Sequence, residues 1–164
     1  MLGIPHDNEA LMHADPVSIH PDFWVAFFWK RLMGTAVLNA TAGAVLDPSI
    51  RAYAHCGMPP SMHLPKAVRQ ASKPMGLVLV NLNSTTAKQL TLPVKGSVWT
   101  LSVGEAGFFG SGTQLNGKPL PGSIADGKAI DEIPGGDEGV AAQKGEKLTL
   151  PPFSVAFVAA ECMG

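Results

Sequence analysis

The apolar and polar positions follow two different periods along this 164-residue chain, and the change comes near residue 35. Before it, seven consecutive apolar residues run from Phe23 to Trp29 within the segment DFWVAFFWKRLMGT, residues 22–35. Pro21 suits the first position of a helix, and the basic pair after Trp29 suits its last turn, so we predict a helix over about residues 21–33. Its apolar side chains cover nearly the whole circumference, which is typical of a helix buried inside a larger structure. The run is shorter than the roughly 20 apolar residues that a bilayer span requires, so we expect no transmembrane segment.

From residue 35 onward the period is two, as in β-strands that alternate between two faces. The segment Asn116-Gly117 favours a type I′ turn and predicts a hairpin. We expect loops before residue 21 and over residues 121–146, and an antiparallel β-sandwich for the rest. The strand-like runs lie at 35–41, 50–56, 76–83, 87–94, 97–103 and 113–120, with two more within 146–161.

Composition and charge narrow the class of protein. Apolar residues make up 46% and charged residues 15%, which indicates a folded domain. The net charge is −1 and the basic residues form no stripe with interleaved aromatics, so we expect no nucleic-acid partner. The opening MLGIPHDNEALMHADP has neither a basic region nor an apolar core of a signal peptide. A chain that passes from loop directly into an apolar helix suggests a piece of a longer protein.

No residue pattern in the chain identifies a catalytic or metal site. His55 and Cys56 are adjacent on a predicted strand, so their side chains should point to opposite faces and cannot easily share one site. The five histidines show no zinc spacing, and we expect no metal and no cofactor. The densest acidic pairs, Asp131-Glu132 and Asp137-Glu138, lie in the Gly-rich loop region, where solvated carboxylates are the simpler interpretation.

Two features concern the cellular compartment. Cys56 and Cys162 are the only cysteines, and the residues alone leave open whether they form a bridge or remain two free thiols. Asn39-Ala40-Thr41 and Asn83-Ser84-Thr85 have the form of N-glycosylation acceptors, so Asn39 and Asn83 are candidate glycan sites. Together the sequons favour a secretory route.

Five strings occur in one order: PDFWVAFFWKRLMGTAVL, IRAYAHC, GLVLVNLNSTTAKQLTLP, QLNGKPL and LTLPPFSVAFV. In this series the chain resembles the C-terminal part of the heparanase-like β-glucuronidases, glycoside hydrolase family 79, from about Asp22 to Val158. The resemblance implies a retaining glucuronidase parent with a (β/α)8 barrel followed by a β-sandwich. Residues 1–34 would then be the tail of the barrel, ending in its last helix, and residues 35–164 the sandwich.

The resemblance also implies partners and limits. The helix would pack against a barrel that this chain lacks, and the chain made alone would expose a large apolar patch. The family's catalytic glutamates lie before the matching region, so we expect no catalytic residue here and no hydrolysis by this chain alone. The parent would act on a glucuronic-acid-containing glycan in an extracellular, lysosomal or other secretory location. The residues expected to contact the barrel are Trp24, Phe27, Phe28, Trp29 and Leu32.

Three details refine this expectation. Glu9 stands where family members carry a Tyr that helps to hold the glucuronate carboxylate, so no substrate-binding residue is assigned. Residues 46–49 lack the family's basic cluster and leave only Arg51, which favours a less charged glucuronide over heparan sulfate. Animal members pair the two cysteines, so the resemblance favours a Cys56–Cys162 bridge. The alternative function is an autonomous, non-catalytic module that binds carbohydrate or a partner protein, and staying a dispersed monomer would favour it.

Overall fold

The computed structural model describes residues 12–14, 17–40, 47–57, 73–104, 112–121 and 139–162, with the main chain alone for residues 12–14 and 17–18. The described part is mainly β, as the sequence predicted. It contains one helix, α1 (Pro21–Leu32), and twelve strands. The strands are β1 (Met12–Ala14), β2 (Val17–Ile19), β3 (Ala36–Leu38), β4 (Ile50–Cys56), β5 (Pro74–Asn81), β6 (Lys88–Thr91), β7 (Gly96–Val103), β8 (Thr113–Leu115), β9 (Lys118–Pro119), β10 (Val140–Ala142), β11 (Lys147–Leu150) and β12 (Ser154–Glu161).

One large antiparallel sheet organises the fold. Its strands follow the order β3-β4-β5-β12-β7-β8-β9, and β10 pairs with β7. The central strand β12 pairs with β5 on one side and with β7 on the other. Because both of its faces are covered, β12 is an almost continuous apolar run, whereas β4 at the side of the sheet alternates apolar and polar residues.

The large sheet is covered on both faces by other elements of the chain. On one face lies the two-stranded ribbon of β6 and β11. Leu150 of β11 and Leu92, the residue after β6, are buried with Leu77, Ala156 and Val158 of the sheet. On the other face lies α1, packed against the apolar side chains of β5, β7, β8 and β12. The described residues therefore form three layers, which are helix, large sheet and ribbon, with a core on each side of the sheet.

A close backbone approach holds the end of α1 on the sheet. A Cβ placed at Gly76 in β5 would overlap the carbonyl oxygen of Leu32, the last residue of the helix. Only glycine therefore allows the helix to end at this height above the strand. Met33 follows in an extended conformation, and its amide donates to the carbonyl of Trp29 at 2.9 Å.

Several local predictions are confirmed. The helix ends within one residue of the predicted boundary. Asn116 and Gly117 both have positive φ, 50° and 76°, as a type I′ turn requires, and they join β8 to β9.

Two short elements differ from the predicted loops. The segment before residue 21 contains the β1–β2 hairpin, and the predicted loop over 121–146 contains β10. All three strands, β1, β2 and β10, are three residues long, which is too short for a period-two pattern to stand out. Residues 122–138 of that predicted loop lie outside the described residues.

Candidate functional surface

An exposed aromatic surface lies where the second half of α1 meets β3 and β4. Trp29 of α1 is 39% exposed, Tyr53 of β4 is 47% exposed, and Val37 of β3 is 76% exposed. The strand register pairs Val37 with His55, and Tyr53 lies two residues away on the same face of β4. We call Trp29, Val37, Tyr53 and His55 together the edge surface.

Ring contacts fix the orientation of Trp29. Its ring lies edge-to-face against Tyr53, with centroids 6.3 Å apart, and against His55, with centroids 5.8 Å apart. The half-buried His55 donates through Nδ1 to the carbonyl oxygen of Gly34 at 2.6 Å, since a carbonyl can only accept. The three rings of the edge surface therefore have defined orientations, because each ring contacts a neighbour from another element.

The opposite side of α1 faces this chain's own sheet. Trp24, Phe28 and Leu32 are 2%, 1% and 3% exposed and belong to the core on that side of the sheet. The Phe28 ring lies 6.4 Å from that of Trp99 and 5.7 Å from that of Phe157, centroid to centroid. In this chain these three side chains are covered by its own sheet, and a contact between them and a barrel outside the chain stays a prediction.

The helix can pack on its own sheet because its small and polar residues lie along one side. Asp22, Ala26 and Lys30 recur every fourth residue, are exposed, and form the outward stripe. Phe27 is half-buried, and the Arg31 guanidinium lies 3.8 Å above its ring centroid, a cation–π contact. For Phe27 and Trp29 a contact with a barrel stays a prediction.

Cys56 and Cys162 form a disulfide, as the resemblance implied, with their Cα atoms 6.2 Å apart. The bridge joins the end of β4 to the residue after β12, across the intervening β5. His55 faces Trp29 whereas Cys56 packs with the core on the ribbon side, so the two adjacent residues lie on opposite faces as predicted. Since both cysteines are bonded, Cys56 offers no thiol for metal or nucleophilic chemistry.

The two candidate glycan acceptors lie in different surroundings. Asn39 is exposed just after β3. Asn83 is half-buried, and its Oδ1 accepts hydrogen bonds from the Thr85 amide at 3.0 Å, the Thr85 hydroxyl at 3.3 Å and the Thr86 amide at 2.7 Å. The side-chain oxygen of Asn83 is thus engaged within its own turn. Glycosylation at either residue stays a prediction.

Asp47 lies in the segment where the family's basic cluster would stand, and the charged side chains around it have partners within the chain. Asp47 accepts a hydrogen bond from the Lys88 ammonium at 2.8 Å, and this contact, with the hydroxyl and amide of Ser49, holds the pKa of the Asp47 carboxyl well below its usual range. The Arg51 guanidinium donates to the Pro48 carbonyl at 2.6 Å and to the Ile50 carbonyl at 3.0 Å. The side chains of Arg51 and Lys88 therefore both have hydrogen-bond partners within this chain, and the preference for a less charged glucuronide stays a prediction.

The remaining candidates give no site. Glu9, His6, His63 and the two acidic pairs at 131–132 and 137–138 lie outside the described residues. Among the residues that the structure does describe, no three His, Cys, Asp or Glu side chains come together as a metal site would require. No helix in that same part of the chain has the length and hydropathy of a membrane span.

Sequence reasoning identified Trp29 but missed its neighbours. Val37, Tyr53 and His55 lie on the sheet face towards the helix at the side of the fold, where the core no longer covers them. The alternation of IRAYAHC indicated that Arg51, Tyr53 and His55 share a face. The fact that α1 borders this face depends on the tertiary arrangement, which the alternation does not contain.

Comparisons with known proteins show which proteins contain a region similar in sequence to this chain. No family model matches the chain. The heparanase of Gallus gallus is 28% identical over 84% of this chain, and the heparanase of Bos taurus is 29% identical over 84% of it. The chain is heparanase-like. The inactive heparanase-2 of Homo sapiens is 27% identical, again over 84% of the chain.

These matches support the likeness to the C-terminal region of glycoside hydrolase family 79 that the motifs indicated. The heparanase-like chain covers 25% of the Gallus gallus protein and 24% of the other two, so it spans about a quarter of the length of the curated relatives it matches. One of these relatives is named inactive, so the likeness does not depend on catalytic activity.

Proposed function

We propose that this chain is the C-terminal portion of a heparanase-like glycoside hydrolase and supports a catalytic (β/α)8 barrel that lies outside it. Residues 1–34 are the end of the barrel and residues 35–164 the sandwich domain in this proposal. The parent acts on a glucuronic-acid-containing glycan, and its catalytic carboxylates belong to the barrel. The Cys56–Cys162 bridge supports a secretory location, because such bonds persist in oxidising compartments.

The observation that carries this proposal is the edge surface. Exposed tryptophan and tyrosine held in fixed orientations are the residues that interfaces favour. Trp29 lies on α1, which in this proposal is the last helix of the barrel, so the rest of the barrel would lie next to it. The length of the relatives supports the presence of such a preceding domain.

The three tryptophans of the chain provide the test, because they differ in accessibility. Trp29 is 39% exposed, whereas Trp24 and Trp99 are 2% and 1% exposed. In the isolated 164-residue chain, limited oxidation by N-bromosuccinimide followed by peptide mass spectrometry should modify Trp29 first. The two buried tryptophans are internal controls, since they should resist in every form of the protein.

The native polypeptide is then compared with the isolated chain. An antibody raised against peptide 59–74 detects its mass in the source, and the same oxidation is applied to the purified native protein. A band several times larger than 17.1 kDa with Trp29 protected is the expected result. A native band near 17 kDa with Trp29 as reactive as in the isolated chain would overturn the proposal and favour an autonomous binding module.

A further inference from the structure

A cavity of about 450 Å³ opens beside the first turn of α1, on the sheet face that carries the helix. Its lining is largely apolar. The apolar side chains are Val25 of α1, Leu101 and Val103 of β7, Val155 of β12, and Phe153, the residue before β12. A cavity of this composition suits an apolar group of a partner, because burying such a group removes apolar surface of both partners from water.

Apolar side chains connect this cavity to the edge surface. Along α1, Val25 precedes Trp29 by four residues, so the two side chains lie on the same side of the helix. Across the sheet, Val80 pairs with Val155 and lies diagonal to Tyr53. Val80 and Val155 are half-buried and pack against the core under α1. The cavity and the edge surface therefore belong to one continuous surface along one side of the helix.

The other sides of α1 do not continue this surface. The outward side carries the charged residues Asp22 and Lys30. On the remaining side, the Arg31 guanidinium lies 3.8 Å above the centroid of the Phe27 ring and places a charge over it. A partner that covers Trp29 therefore meets further apolar surface of this chain at the cavity.

Phe153 is the exposed apolar side chain of the cavity lining. It is 38% exposed and has a φ of 45°, which a phenylalanine rarely adopts. Its amide donates to the Asn83 carbonyl at 3.0 Å, which helps to hold this conformation. Strained backbone of this kind is concentrated where residues contact a ligand or a partner. Phe153 is therefore the side chain that we expect a partner to cover first.

The geometry of a (β/α)8 barrel determines which part of the barrel can reach this cavity. Each barrel strand is followed by a helix that runs back along it, so every helix begins at the end of the barrel where the strands end. The active site lies at that same end, in the loops that lead from strands to helices. In the proposed function α1 is the last of these helices, and it begins at Pro21 beside the cavity. The barrel residues nearest to the cavity therefore belong to loops at the catalytic end.

We propose that this cavity is a second contact between the chain and the barrel, and that it receives an apolar side chain from a loop at the catalytic end. The inference rests on the proposed function, because it takes α1 as the last helix of the barrel. It adds Val25, Phe153 and Val155 to the contact surface. Through this contact the chain holds an active-site loop of the barrel in position, in addition to packing against its last helix.

The test is hydroxyl-radical footprinting with peptide mass spectrometry, applied to the isolated 164-residue chain and to the native polypeptide. Phe153 and Trp29 should be oxidised in the isolated chain, and both rates should fall severalfold in the native polypeptide. Val140 is the control, since it is 58% exposed and pairs with Val98 of the core on the ribbon side, away from the helix. Its oxidation rate should be equal in the two samples.

The outcomes separate this inference from the proposed function. Protection of Trp29 with Phe153 as reactive as in the isolated chain would overturn the second contact and leave the supporting role intact. Reactivity of both residues in a native polypeptide near 17 kDa would overturn both. Resistance of Phe153 in the isolated chain would also contradict the inference, because another part of the same chain would then cover its ring.

A pair of variants tests whether the cavity itself is occupied. Val25→Phe places a ring in the cavity, whereas Ala26→Phe places the same ring on the exposed outward side of α1. In the isolated chain both variants should keep the wild-type thermal midpoint. In the full-length polypeptide Val25→Phe should raise the oxidation rates of Trp29 and Phe153 severalfold, and Ala26→Phe should leave them unchanged. If Val25→Phe leaves both residues protected, no barrel side chain fills the cavity and the inference is wrong. The wild-type footprint decides the matter independently if Val25→Phe lowers the thermal midpoint.

Discussion

The disulfide should account for a large share of this chain's stability, and its contribution follows from its place in the sequence. Cys56 and Cys162 are 106 residues apart, and the bridge closes a loop that contains β5 to β12. In the chain-entropy relation, a loop of this length removes about 16 cal/mol/K from the unfolded state, or about 5 kcal/mol at 25 °C. Since a whole domain is stable by about 5–15 kcal/mol, the reduced protein should be close to unfolding.

The assay is urea unfolding of the oxidised and reduced chain, followed by circular dichroism and tryptophan fluorescence. With a slope of about 1–3 kcal/mol/M, a loss of about 5 kcal/mol should lower the midpoint by about 2–5 M. The slope itself should rise, because the unlinked chain exposes more surface when it unfolds. Both cysteines are half-buried, so the reductant has access to the bond.

The double variant Cys56→Ala with Cys162→Ala is the matched control. It should unfold at the midpoint of the reduced wild type and should not respond to reductant, which separates the bridge from other effects of the reagent. A midpoint shift below about 0.5 M on reduction would refute the reasoning. It would mean that the unfolded chain is already held compact by residual structure.

Three further outcomes are expected. Phe28→Ala should lower the free energy of unfolding of the isolated chain by about 3–5 kcal/mol, measured in the same urea assay. Phe27→Ala, at the neighbouring half-buried position, should lower it by clearly less. Equal losses would contradict the packing of α1 on its own sheet. Gly76→Ala should lower the free energy of unfolding by about 1–3 kcal/mol or more, because the added methyl overlaps the carbonyl of Leu32 that ends α1. An unchanged thermal midpoint would contradict that close approach. Lys88→Ala should raise the pKa of Asp47 towards its ordinary value near 4, measured by NMR titration of the side-chain carboxyl, and a pKa that does not move would exclude Lys88 as the main cause.

Local signals in the sequence predicted most of the strands and the boundaries of the helix. Asn116-Gly117 specified its turn because few residues tolerate two consecutive positive φ values. The proline at position 21 and the basic residues after Trp29 marked the ends of α1 for similarly local reasons. β10 escaped prediction because its three residues pair with β7 through contacts distant in sequence.

The sequence of α1 marks its outward side through Asp22, Ala26 and Lys30, but it does not say what the other sides pack against. Apolar residues occur on almost every side of the helix, so no single stripe stood out as the buried one. The sheet determines which side of α1 is buried, since Trp99 and Phe157 provide aromatic neighbours for Phe28. The edge surface escaped prediction for the same reason, because its four residues come from α1, β3 and β4.

The orientation of α1 changes how the two functions can be told apart. A helix that needed a barrel on every side would make the isolated chain aggregate, and solubility would then distinguish a fragment from an autonomous module. Here the largest side chains of α1 complete the chain's own core, and Trp29 is the one large apolar side chain of the described helix that is exposed. A soluble monomer is therefore expected under both functions, so purification behaviour no longer distinguishes them. The mass of the native polypeptide together with the accessibility of Trp29 does, because only the supporting role predicts a larger polypeptide in which the same chain covers this ring.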